Sequence, residues 1–113
     1  MAYNTELEER IDAIVIELDV GVSKKKMFGG LSYFEQGENM AFAIRNDALI
    51  FRASDDTAIE LLRHDGLERA NMGSRPMRSW LQADGKAITS REELTNYLTI
   101  GYQYARNLPP KKQ

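Results

Sequence analysis

Apolar residues recur every three or four positions near both ends of the chain. The first such stretch covers residues 5–19 and the second covers residues 90–108. This period places apolar side chains along one face of a helix. Thr5 with Glu8, and Ser90 with Glu93, have the spacing of a capping box, which marks a helix N-terminus. The pattern therefore predicts one amphipathic helix near each end of the chain.

Between these helices the apolar positions alternate with a shorter period. Met40, Phe42 and Ile44 are two residues apart, and a period of two puts side chains on one face of a β-strand. Turn-forming residues separate the successive runs. The third run is followed by a short helix that Ser54 caps and Gly66 ends. The predicted strands are residues 31–35, 40–45, 48–53, 67–72 and 77–83.

The predicted order of elements, α-β(3)-α-β(2)-α, belongs to the α+β class. The simplest arrangement is a two-layer fold in which one antiparallel, meandering sheet carries its helices mainly on one side. A chain of 113 residues falls in the range of one domain, because two halves of this length would each bury too little surface. We therefore expect a single domain over residues 1–113, with residues 108–113 as a flexible tail.

The charge balance argues against a protein that binds nucleic acid through its overall charge. The chain has 15 Lys and Arg residues against 17 Asp and Glu residues, a net charge of −2. The acids are unevenly placed, since six of them lie in the first nineteen residues beside Arg10 alone. The rest of the chain is therefore slightly basic, and a local basic patch remains open.

The sequence contains no recognisable catalytic centre. Nucleophilic catalysis needs a nucleophile, a base and an orienting group, but the chain has no cysteine and only one histidine, His64. The acid pairs Asp55–Asp56 and Glu92–Glu93 fall in first turns of predicted helices, where the helix dipole favours them. We expect no catalytic residue, no metal and no cofactor, and hence no enzyme.

The compartment is predicted from what the chain lacks. No window approaches the roughly 18 consecutive apolar residues of a membrane span, and the polar start of the chain is unlike a secretory signal. The absence of cysteine leaves no disulfide framework. We expect a cytoplasmic protein with no membrane partner.

Two segments have residues suited to binding. The first consists of Lys24, Lys25, Lys26, Met27, Phe28, Gly29 and Gly30, and it is predicted to connect the first helix to the first strand. Three ammonium groups beside glycines can approach a phosphate or a nucleic-acid backbone, although the spacing is not that of a P-loop. The alternative is a tight connection in which the Met and Phe side chains fill the core and the lysines stay in water.

The second segment contains Arg75, Arg78 and Trp80. The two guanidinium groups can bind phosphate or carboxylate, and the indole can stack on a base. A tryptophan in a predicted strand more often packs into a core. Both interpretations of this segment stay open.

Several short motifs in a fixed order resemble one known family. They are Lys26-Met27-Phe28-Gly29-Gly30-Leu31, Asp47-Ala48-Leu49-Ile50-Phe51-Arg52, Arg75-Pro76-Met77 with Trp80, and Leu108-Pro109-Pro110-Lys111-Lys112. In this order they resemble the TfoX (Sxy) N-terminal-domain family over nearly the whole chain, as a stand-alone, single-domain member.

The resemblance implies an α-β(3)-α-β(2)-α fold similar to that of secretion chaperones, and a role in regulation. Named members regulate natural competence at the level of transcription, and no reaction is established for the domain. Competence regulators of this family carry a second, helical domain suited to nucleic-acid contact. Because this sequence matches only the first domain, nucleic acid is an open but not a favoured partner.

Three hypotheses for function remain. The leading one is a regulatory protein-interaction module, with homodimer formation also open, whose exposed sheet or basic motifs contact a protein partner of unknown identity. The second is a regulator associated with nucleic acid through Lys24 to Lys26 and the two arginines. The third is a small enzyme or a binder of a small ligand, with its site between the sheet and the last helix.

Overall fold

The computed structural model of the protein describes residues 3–27, 29–72 and 75–109, with residues 72 and 75–78 described by their backbone alone. In this part of the chain there are three helices and six strands. The helices are α1 (Thr5–Leu18), α2 (Asp55–Leu61) and α3 (Arg91–Arg106). The strands are β1 (Val22–Met27), β2 (Gly30–Glu35), β3 (Met40–Arg45), β4 (Ala48–Arg52), β5 (Leu67–Met72) and β6 (Arg75–Ala83).

The six strands form one antiparallel sheet in the order β1-β2-β3-β4-β6-β5. This confirms the predicted α+β fold class. The meander covers β1 to β4, after which the chain passes through α2 and returns with β6 beside β4. The last two strands are therefore inserted in reverse order at one end of the sheet.

The predicted element order is wrong in one place, because residues 22–27 form a strand and not a connection. β1 pairs with β2 over its whole length, from Val22 opposite Glu35 to Met27 opposite Gly30. Gly29 has a φ angle of 75°, a left-handed value that glycine adopts without strain in a hairpin turn. Consecutive lysines show no alternation of apolar residues, so the hydrophobic pattern alone does not predict the strand.

The register of the sheet places its large apolar side chains on the face that the helices cover. One row runs across the strands from Leu31 to Ile44, Leu49, Ala83 and Leu67. A second row joins Tyr33, Phe42, Phe51 and Leu81. These residues are buried in one cluster together with residues from all three helices. The helices therefore pack on one side of the sheet, as predicted.

Each described helix has a side-chain cap at its N-terminus. Ser54 accepts a hydrogen bond from the amide of Thr57, and Ser90 forms a capping box with Glu93, both as predicted. The first helix differs from the prediction, since its cap is Asn4, which accepts from the amide of Leu7. Thr5 is thus the first helical residue and not the cap.

Helix α3 lies close to the sheet at Gly101, a buried residue of the helix. A Cβ atom at this position would lie 2.5 Å from the carbonyl oxygen of Ala41 and 3.3 Å from Cβ of Phe51. The hydrogen atom of glycine therefore lets the helix backbone lie against β3 and β4. Phe51 also stacks on Tyr97 of α3, with 5.1 Å between ring centroids.

The opposite face of the sheet carries no described helix and is closed partly by the sheet itself. Ile50, Ala70 and Trp80 are buried there in a second, smaller cluster. The guanidinium of Arg45 on β3 donates to the carbonyl oxygen of Asn71 on β5 at 2.9 Å. In a flat sheet these strands would lie three spacings apart, about 14 Å. The β5–β6 end must therefore curl over this face.

We expect Gly101→Ala to destabilise the protein. Alanine favours a helix by about 1 kcal/mol over glycine, but here its methyl group would meet a backbone oxygen that cannot rotate away. Overpacking of this kind costs about 1 to 3 kcal/mol, so we expect a net loss in the free energy of unfolding, measured by urea titration. Gly85→Ala is the matched control, because no atom lies within 4 Å of its added Cβ. Equal effects of the two substitutions would contradict the proposed close contact.

Candidate functional site

Among the strands in the described part of the chain, β1 is an edge strand that pairs with β2 on one side only. In an antiparallel edge strand of six residues, about three residues direct their N–H and C=O groups away from the sheet. These groups can pair with an added strand. The candidate site, which we call the β1 edge site, comprises Ser23, Lys25 and Lys26 of β1 and Phe34 of β2.

The three predicted lysines do not lie on one face. Lys24 and Lys26 pair with Tyr33 and Leu31, whose side chains belong to the helix-covered core. Lys25 pairs with Ser32 and continues the row of residues on the opposite face. Consecutive side chains alternate because the segment is a strand, so no single phosphate can meet all three lysines from one side of the sheet.

Lys24 holds α1 to the edge of the sheet. Its ammonium lies 2.7 Å from a carboxylate oxygen of Glu8 and 2.8 Å from one of Asp12. The second oxygen of Asp12 accepts a hydrogen bond of 2.8 Å from the hydroxyl of Tyr33. The hydrogen bonds to Asp12 and Glu8 raise the pKa of Lys24. Lys24 is therefore committed to a structural contact.

Lys25 and Lys26 are uncommitted, which means that they make no comparable contact with the described part of the chain. Both side chains are exposed, and neither has an ion pair or side-chain hydrogen bond with another residue in the described part of the chain. Their ammonium groups extend from the two faces of the same strand edge. An oppositely charged segment along this edge would meet both of them.

An open depression of about 600 Å³ adjoins the strand on the face of Lys25. Its lining includes Ser23 and Phe34, which are cross-strand partners. Phe34 is only half-buried, so part of its ring forms an apolar floor. Buried Glu35 also borders the depression, but its carboxylate accepts from the amides of Gly37 and Asn39 and holds the turn after β2.

The two predicted glycines are not part of the β1 edge site. Gly29 is exposed, whereas Gly30 is buried, and a Cβ atom added to Gly30 would lie only 2.2 Å from the carbonyl oxygen of Ile44. Phe28 lies outside the described residues, as do the side chains of Arg75 and Arg78. Among the predicted binding residues whose side chains the structure describes, Lys25 and Lys26 are the two that we assign to the β1 edge site.

Trp80 is buried and belongs to the small second cluster, with 8% of its surface exposed. Its ring lies against the guanidinium of Arg52, 4.8 Å from the ring centroid, and the ring of Tyr104 lies at 5.3 Å from the same group. Burial lowers the pKa of Arg52. The cation–π contacts give this partly desolvated cation favourable neighbours, and the indole is left with little surface for stacking on a base.

A second, smaller cavity of about 240 Å³ lies between α1 and α3. Its lining includes Leu18, Phe42 and Leu98, with Arg106 among its few polar groups. Cavities that hold small ligands usually have about 300 to 1,000 Å³ and several convergent polar groups. This cavity, which borders the last helix and reaches the sheet at Phe42, thus gives little support to a small-ligand site.

The described ranges contain neither a metal cluster nor a membrane-spanning helix. Within residues 3–27, 29–72 and 75–109, no three side chains of the metal-binding types cluster around a common point. None of the helices in these ranges combines the length and the apolar character needed to cross a bilayer.

The fold and the site define a two-layer α+β domain with a basic, accessible sheet edge. The sequence model of the TfoX N-terminal domain matches residues 18–105. The chain therefore belongs to the TfoX N-terminal domain family, as its motifs predicted. The family is one of competence-type regulatory domains and is not a known family of enzymes. No curated protein and no solved structure is significantly similar to the chain.

Sequence reasoning missed Ser23 and Phe34, which complete the β1 edge site. Neither residue belongs to a binding motif, and they become neighbours only through the pairing of β1 with β2. The one available signal was Gly29-Gly30, because glycines after a polar run can form a hairpin turn. If residues 22–27 are taken as the first strand of that hairpin, the side chains of Ser23 and Phe34 fall on the same face of the sheet.

We expect Lys24 and Lys25 to differ in their effect on stability. Lys24→Gln leaves the carboxylates of Glu8 and Asp12 without their shared cation and should lower the free energy of unfolding by about 1 kcal/mol at low salt. Lys25→Gln should leave it unchanged. Urea titrations of both variants at low and high salt test this, and equal stabilities would contradict the structural role of Lys24.

Tyr33 should make stability sensitive to alkaline pH. Burial and the hydrogen bond to Asp12 raise the pKa of Tyr33 well above its ordinary value of 10.0. Above about pH 10 the unfolded chain loses the hydroxyl proton of Tyr33, whereas the folded protein keeps it. The contribution of Tyr33 to the free energy of unfolding is therefore complete below pH 10 and is lost as pH rises.

The matched variant is Tyr33→Phe, which keeps the ring contact with Phe42 and removes the hydroxyl. At pH 7 we expect it to unfold about 1 to 2 kcal/mol more easily, because a hydrogen bond to a charged group is lost. The difference from wild type should shrink above pH 10. Chemical denaturation between pH 7 and about pH 11.5 measures it, and a constant difference would contradict the raised pKa.

Proposed function

We propose that this protein is a regulatory module that acts by binding another protein, and that it binds through the β1 edge site. The supporting observation is the combination of an unpaired strand edge with two uncommitted lysines and an adjoining depression. Nearby polar groups, namely Lys24 and Glu35, are occupied by internal contacts. The membership of a competence-type regulatory family supports the same proposal.

The regulated process that we propose is the transcriptional control of competence, in which named members of the family act. We also propose that the protein works in the cytoplasm, which agrees with a chain of 113 residues without cysteine. The net charge of −2 favours a protein partner over nucleic acid, because a nucleic-acid backbone repels an acidic protein except at a strongly basic patch.

A pull-down from the protein's own cell extract tests this function. The extract is divided into nuclease-treated and untreated halves, and the bound proteins and nucleic acids are identified in each. We expect one protein partner to be retained in both halves. Recovery of DNA or RNA, or of proteins that nuclease removes, would support the nucleic-acid alternative and overturn the proposal.

Charge-reversal variants connect the partner to the site. Lys25→Glu with Lys26→Glu should abolish retention of the partner, whereas Lys86→Glu changes the charge at an exposed lysine in the turn before α3 and should leave it intact. Retention by all variants would place the partner on a different surface. If Lys86→Glu abolished retention of the partner and the double variant did not, the assignment to the β1 edge would be contradicted.

A further inference from the structure

We infer that the partner of the β1 edge site is an extended acidic segment that adds to the sheet as a seventh strand, antiparallel to β1. This inference rests on the proposed function and specifies its partner. Along an antiparallel strand the segment would carry two acidic residues, an uncharged residue and a large apolar residue, in that order. Each position follows from one residue of β1 or from its neighbour in the sheet.

The two acidic positions lie opposite Lys26 and Lys25. These lysines are exposed and uncommitted, on opposite faces of the strand. Directly opposite residues on neighbouring strands have Cβ atoms about 5 Å apart, close enough for opposite charges to attract. Consecutive acidic residues in an added strand also point to opposite faces, so one acid can meet each lysine.

The uncharged position lies opposite Lys24. Lys24 already contacts the carboxylates of Glu8 and Asp12, so a third acid would meet more negative charge than positive charge. The large apolar position lies opposite Ser23. Because the serine side chain is small, an aromatic ring beside it can extend across the depression to Phe34, the cross-strand partner of Ser23.

A second copy of this chain is a poor occupant of the same edge. Antiparallel pairing of β1 with another β1 would bring the lysines of two copies together, and like charges on adjacent strands are destabilising. Edge lysines thus oppose self-association and favour a segment of opposite charge. The charges therefore select an acidic partner at an edge that would otherwise pair with any exposed strand.

The probe for the test is a fluorescein-labelled peptide, Thr-Val-Glu-Glu-Thr-Phe-Val-Thr, and binding to the full chain is followed by fluorescence polarisation. We expect saturable binding that weakens with added salt. Replacing both Glu residues with Gln should weaken binding by about tenfold, as should Lys25→Gln with Lys26→Gln in the protein. Lys86→Gln, the matched control, should leave binding within about twofold.

Backbone methylation distinguishes strand addition from simple charge attraction. Two further peptides carry N-methyl groups on alternate residues, offset from each other by one position. A strand at an edge uses the N–H groups of alternate residues only, so one peptide should bind as the unmethylated probe does and the other should lose more than about tenfold in affinity. All folded variants are first compared with wild type by urea titration.

Binding of both methylated peptides with equal affinity, or of the Gln peptide as tightly as the Glu peptide, would overturn the strand-addition proposal. Displacement of the probe by a single-stranded oligonucleotide more strongly than by unlabelled peptide would also overturn it. The function is tested separately by the extract experiment: a protein retained there despite failed peptide binding would reject the acidic strand and keep the interaction module.

Discussion

The close contact between α3 and the middle of the sheet is the constraint on which the rest of the structure depends. At Gly101 the helix backbone lies directly against β3 and β4, which fixes the face of the sheet that is buried. Because Tyr33, Phe42, Phe51 and Leu81 point to that face, the register of the four central strands follows from it. The opposite face must be closed by other means.

The two ends of the sheet differ in the contacts that their strands make. At one end, the β5–β6 strands curl over the sheet, and Arg45 and Arg52 place their charged groups against backbone oxygen and aromatic rings. At the other end, α1 reaches the sheet edge through Lys24 and Tyr33. Beyond these contacts, β1 pairs with β2 alone among the described strands and presents an edge that carries the lysines.

This inequality gives a physical reason for the proposed binding to be selective. An exposed strand edge offers backbone hydrogen bonds to any extended chain, and charge decides which chains approach. Glu8 and Asp12 of α1 bind Lys24. Lys25 and Lys26 are then the lysines of β1 that form no ion pair with the described part of the chain. A regulatory module can in this way recognise a partner without a deep pocket.

Amphipathic periods, caps and ordered motifs are local properties, so the amino-acid sequence was enough to predict the fold class, both terminal helices, five of the strands and the family. It could not determine β1, since a run of lysines has no alternation and becomes a strand only through pairing with β2. It named the lysines but could not separate Lys24 from Lys25. That difference depends on Glu8, Asp12 and Tyr33, which only the tertiary structure brings to one side of the strand.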